Sequence, residues 1–531
     1  MRPLIVSNAG VALRYMSIGL CVVGWPTRLF KFEAYLHDKL IVMRFWMLLL
    51  GMLGCTGLSA QLPPPEVEQA HNERLVQQIA DQRVADRMDS LLTALHEKGY
   101  FNGSVLAVEE GRVVFEGTYG LAERKPDRPL TDDSVFELAS VSKQFTAMGV
   151  MLLVEEGKID PTAPAMRYLP ELAAYPRITV GHLVHHRSGL PDYLDYIMDY
   201  DSTAAFITND TVLRVIDRVS MPLDFTPGDA YAYSNTNYLL LATLIERVSG
   251  QSFGDFLRAR IFEPLEMHRT SVYQRRYAPR VIEDLAHGYV YDGVSDQYVL
   301  PDSTSDSDYI IRLDGVVGDG MVNSTLGDLH KWSRALDHHT LLSPEATERY
   351  FTSPAPPDEG ARKYAWGWVV QDTETFGLLQ SHSGGWPGYN THIDRYPESE
   401  RLLIVLRNDN GGPDQKVNAI RNLRRIFFDK PLVKMEPVQH PDAVAIDVDD
   451  LKPYEGVYAV SSAFKLRFFV EGERLITQAT GQQALPLTYI GDDTFYIRVV
   501  EAKIIFKRDD TGQPMFLVLH QNGQQVMAMR E

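Results

Sequence analysis

Residues 136–156 read FELASVSKQFTAMGVMLLVEE, and this stretch decides the fold around it. From Lys143 to Glu156 apolar residues occupy nearly every side of a helical wheel, which is typical of a helix buried on most faces. Gly157 follows directly, and glycine commonly ends helices. We therefore predict a buried helix that begins near Ser140 and ends at Gly157.

Ser140 and Lys143 bring candidate chemistry to the start of this helix. Residues three apart on a helix share a face, with Cβ atoms about 5–6 Å apart. A serine hydroxyl needs a neighbouring base to take its proton, and backbone N–H groups at a helix start can stabilise an oxyanion. Lysine is protonated near neutral pH unless burial or a second cation lowers its pKa. Lys143 is therefore either the base or a cation that tunes another base.

A second Ser-x-x-Lys pair occurs at Ser462 and Lys465. It precedes a strand-like run, where residues three apart point to opposite faces. We therefore expect no site at this second pair.

Two further motifs supply candidate partners for the serine. Tyr233-Ser234-Asn235 lies in a loop-like stretch before an apolar helical run, and a phenolate near Lys143 would act as a proton shuttle. His382-Ser383-Gly384-Gly385 lies between a strand-like run that ends near Gln380 and the next run, Thr391 to Tyr396. Glycines on a strand indicate close approach of another backbone. An acyl substrate laid along that edge would receive a backbone N–H.

The pattern of apolar residues predicts an α+β domain. Runs at 104–109 and 112–117 flank Glu110-Gly111, a turn signal between two short strands. Helical stretches alternate with loops from about 160 to 350, and strand-like runs return from 367 to 406. Strands at both ends of a helical middle predict a sheet assembled from distant parts of the sequence.

The C-terminal part of the chain has a different pattern. Residues 430–451 contain three prolines and predict a linker. Residues 452–531 alternate apolar and polar side chains between turn dipeptides such as Glu471-Gly472 and Asn522-Gly523. This alternation is typical of a small antiparallel β-barrel.

Residues 1–60 are predicted to be a signal or targeting region. Met43-Arg44, an apolar run and a small, polar stretch form the three regions of a signal peptide, and the true start is then Met43. We expect cleavage after Ala60 and a secreted or periplasmic protein. The alternatives are an uncleaved membrane anchor or a lipid on Cys55. Residues 61–84 are expected to be a leader that enters a helix.

Composition excludes several function classes. The formal net charge is -18, and the first 60 residues are net positive, so the rest is strongly acidic and a poor nucleic-acid partner. The only cysteines are Cys21 and Cys55, which excludes a cysteine nucleophile after residue 60. The paired histidines at 185–186 and 338–339 have no carboxylate at a zinc-type spacing, so we expect no metal and no cofactor. No Gly-x-Ser-x-Gly motif occurs, which argues against an enzyme of the α/β-hydrolase type.

The three motifs, in this order, resemble the serine β-lactamases and penicillin-binding peptidases, and within them the class C β-lactamase-like hydrolases. The likeness covers roughly residues 85 to 425. It implies a β-lactamase/transpeptidase-like domain at 85–429, with an antiparallel sheet flanked by helices and an all-helical lobe. The segment 452–531 is similar to the small lipocalin-like domains attached to such hydrolases.

The resemblance also implies roles for individual residues. Ser140 would form an acyl-enzyme, Lys143 and Tyr233 would handle the proton, and Asn235 would touch the substrate or Lys143. The backbone N–H groups of Ser140 and Gly385 would form the oxyanion hole. The predicted substrate-binding and oxyanion residues are Asn235, His382, Ser383 and Gly385.

His382 is a departure from the family pattern, because many β-lactamases have lysine there. A neutral histidine weakens recognition of a substrate carboxylate. We therefore expect a serine hydrolase that acts on a small ester, amide or D-amino-acid peptide. The alternatives are a true class C β-lactamase, a D-Ala-D-Ala carboxypeptidase, or a non-catalytic cell-envelope scaffold. The sequence leaves the oligomeric state open.

Overall fold

The computed structural model describes residues 83–200, 204–292, 295, 297–304, 307–356, 360–410, 419–433, 440–460, 464–480, 484–498, 500–521 and 524–531. Several expectations fall outside these residues, namely the targeting region with Cys55, most of the leader, Ser462 and the Asn522-Gly523 turn. Within the described ranges, no helix is long and apolar enough to cross a membrane.

Strands and helices are numbered here in chain order. The strands are β1 Gly103–Glu109, β2 Arg112–Tyr119, β3 Leu121–Arg124, β4 Asp127–Pro129, β5 Phe136–Glu137, β6 Ser271–Val272, β7 Val290–Asp292, β8 Gln297–Val299, β9 Val322–Ser324, β10 Arg362–Tyr364, β11 Val369–Thr373, β12 Gly377–Trp386, β13 Tyr389–Tyr396, β14 Arg401–Arg407, β15 Gly456–Ala459, β16 Lys465–Glu471, β17 Arg474–Ala479, β18 Leu485–Pro486, β19 Thr488–Gly491, β20 Thr494–Ile497, β21 Ala502–Arg508, β22 Pro514–Gln521 and β23 Gln524–Arg530. The helices are α1 at 83–97, α2 Lys143–Glu155, α3 Val180–Val184, α4 Ile197–Tyr200, α5 Asn209–Val219, α6 Asn235–Ser249, α7 Phe253–Leu257, α8 Ser307–Arg312, α9 Leu326–Asp337, α10 Pro344–Tyr350, α11 Ala419–Phe427 and α12 Val448–Leu451.

The main sheet joins the two ends of the first domain. Its strand order is β10-β11-β12-β13-β14-β1-β2, and neighbouring strands are antiparallel. The hairpin β1–β2 is therefore completed by β14, whose register against β1 runs from Gly103 opposite Arg407 to Glu109 opposite Arg401.

Each face of the main sheet is covered by its own apolar core. Leu106 and Ile404 face the larger core, which contains α2 and most of the region between β2 and β10. Val105 and Leu403 face a second core, which contains α1 and α11. Successive residues of a strand point to opposite faces, so one strand serves both cores.

The C-terminal strands form a separate nine-stranded antiparallel sheet in the order β18-β17-β16-β15-β23-β22-β21-β20-β19. Its core is rich in aromatic rings, including those of Tyr454, Phe495 and Phe506. Leu451, in the predicted linker, belongs to this core. The backbone N–H of Val444 also donates to the backbone oxygen of Tyr489, so the linker residues nearest the sheet pack on it.

The structure confirms the α+β class, the hairpin, the buried helix and the barrel-like antiparallel C-terminal sheet. One expectation is wrong: the His382–Gly385 stretch lies inside β12 and not between two strands. β13 pairs with β12 as far as Trp386 opposite Tyr389, and this pairing outweighs the weak strand propensity of the glycines. The domain boundaries at 429/430 and 451/452 and the lipocalin-like assignment stay predictions.

Candidate active site

Lys143 is fully buried beside Ser140, at the start of α2. Its Nζ donates to Ser140 Oγ at 3.1 Å, to Asn235 Oδ1 at 2.8 Å and to the backbone oxygen of Asp319 at 2.8 Å. A lysine has three N–H donors only when it is protonated. The three oxygens around Nζ can accept all three protons of a lysine ammonium group.

A tight turn places Ser140 within hydrogen-bond distance of the Lys143 amino group. Residues Ala139–Ser142 form a 3-10 turn that leads into α2, and Ala139 has a φ of 47°, which is unusual for a residue other than glycine. Thr391 Oγ1, from β13, donates to the backbone oxygen of Leu138 at 2.7 Å. Ser142 Oγ accepts from the backbone N–H of Val322 at 3.1 Å. The strained turn is thus held from two sides.

Asp192 fixes the orientation of Asn235. Both the backbone N–H and the side-chain Nδ2 of Asn235 donate to Asp192 Oδ2, at 2.9 and 2.8 Å. The amide oxygen of Asn235 is therefore left to face Lys143. Asp192 is mostly buried, and this burial raises the pKa of its carboxyl group.

Asp319 contacts Lys143 through its backbone oxygen. It follows Gly318, whose φ of 106° brings the chain against α6 at Tyr238 and Ala242. Its carboxylate accepts from the hydroxyl of Tyr193 at 3.0 Å. Burial raises the pKa of Asp319, and the charge of Lys143 opposes that rise.

Tyr233 lies between the buried lysine and the solvent. Lys143 Nζ is 5.0 Å from the centroid of its ring, and the ring packs against His186 with centroids 4.3 Å apart. His186 Nδ1 accepts from the backbone N–H of Ser234 at 3.2 Å, so it also holds the chain between Tyr233 and Asn235. Burial keeps the pKa of His186 well below its ordinary value.

His382 is a neutral residue of β12. Its ring Nδ1 lies 2.7 Å from the backbone oxygen of Ser383, which only accepts, so Nδ1 carries the proton. Its Nε2 then accepts from the hydroxyl of Tyr364 at 3.0 Å. Burial, followed by the charge of Lys143, lowers the pKa of His382 to about 3. No positive charge is therefore present at this position near neutral pH.

The two glycines of β12 have different surroundings. A Cβ on Gly384 would overlap the backbone oxygen of Leu138 and Oγ1 of Thr391, whereas a Cβ on Gly385 would meet nothing within 4 Å. Gly384 therefore allows β12 to approach the turn that carries Ser140. β11 pairs with β12 only as far as Ser381, so the same edge beyond that residue opens towards the cleft.

The cleft has a volume of about 730 Å³ and brings five of the predicted site residues together. These are Ser140, Tyr233, His382, Ser383 and Gly385. Lys143 contacts Ser140 of this group directly, and Asn235 is linked to the group through its hydrogen bond with Lys143. Arg187, Arg362 and Lys363 also line the cleft, together with one acidic residue, Asp229.

Sequence reasoning missed Asp192, Tyr193, Tyr364 and Thr391. Each contacts the site through a partner distant in sequence, and no local spacing rule signals such a contact. Trp366 and Trp368 are buried in the larger core. In the part of the chain that the structure describes, no three His, Cys, Asp or Glu side chains form a group suited to a metal ion.

Comparisons with known proteins agree on one family. A family model described as Beta-lactamase matches residues 76–426. The chain is 35% identical to Penicillin-binding protein 4* of Bacillus subtilis (strain 168), over 83% of this chain and 98% of that protein. It is 27% identical to a D-aminopeptidase of Gluconobacter oxydans (strain 621H), over 57% of this chain and 55% of that protein. The solved structure of a D-amino acid amidase from Ochrobactrum anthropi SV3 matches with a TM-score of 0.52 and 25% identity, covering 65% of this chain and 96% of that one.

Substituting Gly384 tests the approach of β12 to the turn that carries Ser140. We expect Gly384→Ala to lower the rate of Ser140 labelling by a fluorophosphonate at least tenfold, because the added methyl group must push β12 away from Leu138. Gly327→Ala, in α9, adds the same group where the nearest atom is Thr325 Oγ1 at 4.0 Å, and it is the matched control. Equal labelling rates for the two variants would contradict this account of the turn.

The buried neutral state of His382 predicts a pH dependence of stability. Its folded pKa of about 3 lies below the ordinary value of 6.5, so below pH 6.5 the unfolded chain binds a proton that the folded chain excludes. The free energy of unfolding should fall as the pH falls from 6.5 towards 3, by roughly 1 kcal/mol per pH unit from this residue. Urea unfolding, followed by tryptophan fluorescence, should show a shallower fall for His382→Gln. The exposed His338→Gln variant is the control, and a slope unchanged by His382→Gln would refute the assignment.

Proposed function

This chain belongs to the beta-lactamase family of serine hydrolases, and from this we propose that it hydrolyses amide or ester bonds of D-amino-acid substrates, with Ser140 as nucleophile. The observation that carries the proposal is the buried amino group of Lys143, whose Nζ lies 3.1 Å from Ser140 Oγ and 5.0 Å from the centroid of the Tyr233 ring. Ser140 and Tyr233 both line one cleft.

The hydrogen bonds of Lys143 support a division of labour in the proton transfer. An ammonium ion that already donates three protons cannot accept another. Tyr233, as a phenolate next to this cation, takes the proton from Ser140 as Oγ attacks the carbonyl carbon. Tyr233 then gives the proton to the leaving amine or alcohol as its bond to carbon breaks. Water then attacks the carbonyl carbon of the acyl-enzyme while Tyr233 takes a proton from it. Tyr233 returns this proton to Ser140 Oγ as the bond between Oγ and the acyl carbon breaks.

The oxyanion of each tetrahedral intermediate would be held by the backbone N–H groups of Ser140 and Gly385. Ser140 lies in the first turn before α2, where backbone N–H groups are free to bind an anion. Gly385 lines the cleft on β12. Ser383 and Asn235 would contact the substrate beside this hole.

The substrate class is supported by two observations. Two of the similar proteins are named for D-amino-acid substrates, an aminopeptidase and an amidase. In this chain His382 is neutral, so β12 offers no fixed positive charge for a carboxylate at the position where many β-lactamases have lysine. We therefore propose D-amino-acid amides, esters and peptides as substrates in preference to β-lactams.

We further propose that the protein acts outside the cytoplasm. The support is the signal-like segment that starts at Met43. A chain that starts at Met43 is expected outside the cytoplasm on cell fractionation, whereas one that starts at Gln61 with an added Met should stay inside. Equal distribution of the two chains would reject the export signal.

A substrate panel tests the proposed function directly. We expect turnover of D-alanine p-nitroanilide to exceed that of the L-alanine compound at least tenfold, with little turnover of nitrocefin. Ser140→Ala should reduce kcat by at least about a thousandfold, because the nucleophile is lost. Ser462→Ala, in the second Ser-x-x-Lys pair, is the matched control and should retain full activity.

Other outcomes of the panel distinguish the alternatives. Rapid nitrocefin turnover would identify a β-lactamase. Release of the terminal residue from D-Ala-D-Ala peptides, without turnover of the anilide, would identify a carboxypeptidase. Unchanged activity of Ser140→Ala would remove Ser140 from the reaction altogether.

A further inference from the structure

We propose that Asp192 and Asp319 are positioning residues that keep Lys143 a protonated cation while Ser140 reacts. This inference rests on the proposed function, because it concerns the proton path at Ser140. Neither aspartate lines the cleft. Their effect must reach the reacting atoms through Lys143 and its hydrogen-bond partners.

A buried ammonium ion is the reason that such residues are needed. Lys143 has no exposed surface, and an isolated charge in a protein interior is strongly disfavoured. The hydrogen bonds to Ser140, Asn235 and the backbone of Asp319 satisfy its three protons, but these acceptors carry no net charge. Full compensation requires negative charge close by.

Asp192 supplies one of these charges through an amide. Its Oδ2 accepts two hydrogen bonds from Asn235, and Asn235 Oδ1 in turn accepts from Lys143. A carboxylate at this place both polarises the amide and prevents it from turning its NH₂ group towards the ammonium ion. The charge of a protonated Lys143 favours the ionised form of Asp192 and opposes the rise that burial causes in the pKa of this carboxyl group.

Asp319 supplies the second charge from another loop. Its backbone oxygen accepts from Lys143, and its carboxylate is held by the hydroxyl of Tyr193. Tyr193 follows Asp192 directly in the chain, so one short segment contacts both Asn235 and Asp319. The two carboxyl groups therefore lie on different loops, and the hydrogen bond from Tyr193 to Asp319 joins these loops.

The other titratable groups around Lys143 add no negative charge near neutral pH. His186 and His382 feel the charge of the lysine, and burial lowers the pKa of each, so both are neutral. The rings of Tyr233 and Tyr238 have their centroids 5.0 and 5.7 Å from Nζ. Burial raises the pKa of Tyr238 well above 10, so it is also neutral. Asp192 and Asp319 are thus the carboxyl groups that can supply negative charge to Lys143 among the described groups named here.

This assignment predicts a change in the pH dependence of acylation. Removing either carboxylate favours the neutral amine, so Lys143 loses its proton at a lower pH. The alkaline limb of the Ser140 acylation profile should therefore move to lower pH, by about one pH unit or more. A residue that only stabilises the fold would lower the rate evenly at all pH values.

The experiment measures the rate of Ser140 labelling by a fluorophosphonate from pH 6 to pH 10.5, using the full chain. The variants are Asp192→Asn and Asp319→Asn, with Asp192→Glu and Asp319→Glu as charge-retaining partners. Asp328→Asn is the matched control, because Asp328 is a buried carboxylate that accepts from the backbone N–H of Arg269 and the hydroxyl of Thr270, away from Lys143. Circular dichroism at each pH confirms that the variants are folded.

The inference is supported if the alkaline limb moves in both Asn variants, returns towards the wild-type position in the Glu variants, and stays in place in Asp328→Asn. It is overturned if the Asn variants keep the wild-type limb, or if Asp328→Asn moves it equally. The two aspartates lie on different loops, so a folding failure of one variant leaves the other as the test. A wild-type chain that is not labelled at Ser140 at any pH would instead reject the proposed function.

Discussion

The arrangement around the cleft depends on one buried amino group, that of Lys143, and on its hydrogen bonds. A lysine amino group removed from water needs oxygen acceptors for its protons. The chain supplies three acceptors, from the turn before α2, from the start of α6 and from the loop at Asp319, three segments far apart in sequence. The same requirement explains why Asn235 is locked by Asp192, since a reversed amide would present N–H groups to a cation.

The sheet brings the second half of the site to this cation. β12 carries His382, Ser383 and Gly385, and it reaches the turn of Ser140 because Gly384 has no side chain to collide with Leu138. β13 pairs with β12 along this length and also bonds the turn through Thr391. A single close approach of two backbones thus places an edge of β12 beside the turn that carries Ser140. Cores on both faces of the sheet support that approach.

The sequence was sufficient for the parts of this arrangement that follow from local pattern. The continuous apolar run after Lys143 predicts a buried helix, the Glu110-Gly111 turn predicts the first hairpin, and the C-terminal alternation predicts the antiparallel sheet. All three are present. The order of the three motifs also indicated the family.

The remainder depends on tertiary contacts that no local pattern encodes. Nothing near Asp192 signals that it meets Asn235, and the contact of Asp319 with Lys143 arises only once the loops have packed. The glycines of β12 read as the end of a strand, because their strand propensity is low and the pairing with β13 that overrides it is non-local.

The most direct test of the central claim is mass spectrometry of the wild-type chain quenched during turnover of a D-alanine thioester. The account predicts a mass increase of one D-alanyl group, located on the peptide that contains Ser140. Turnover with the acyl group on another residue, or with no covalent adduct under any quenching time, would contradict it.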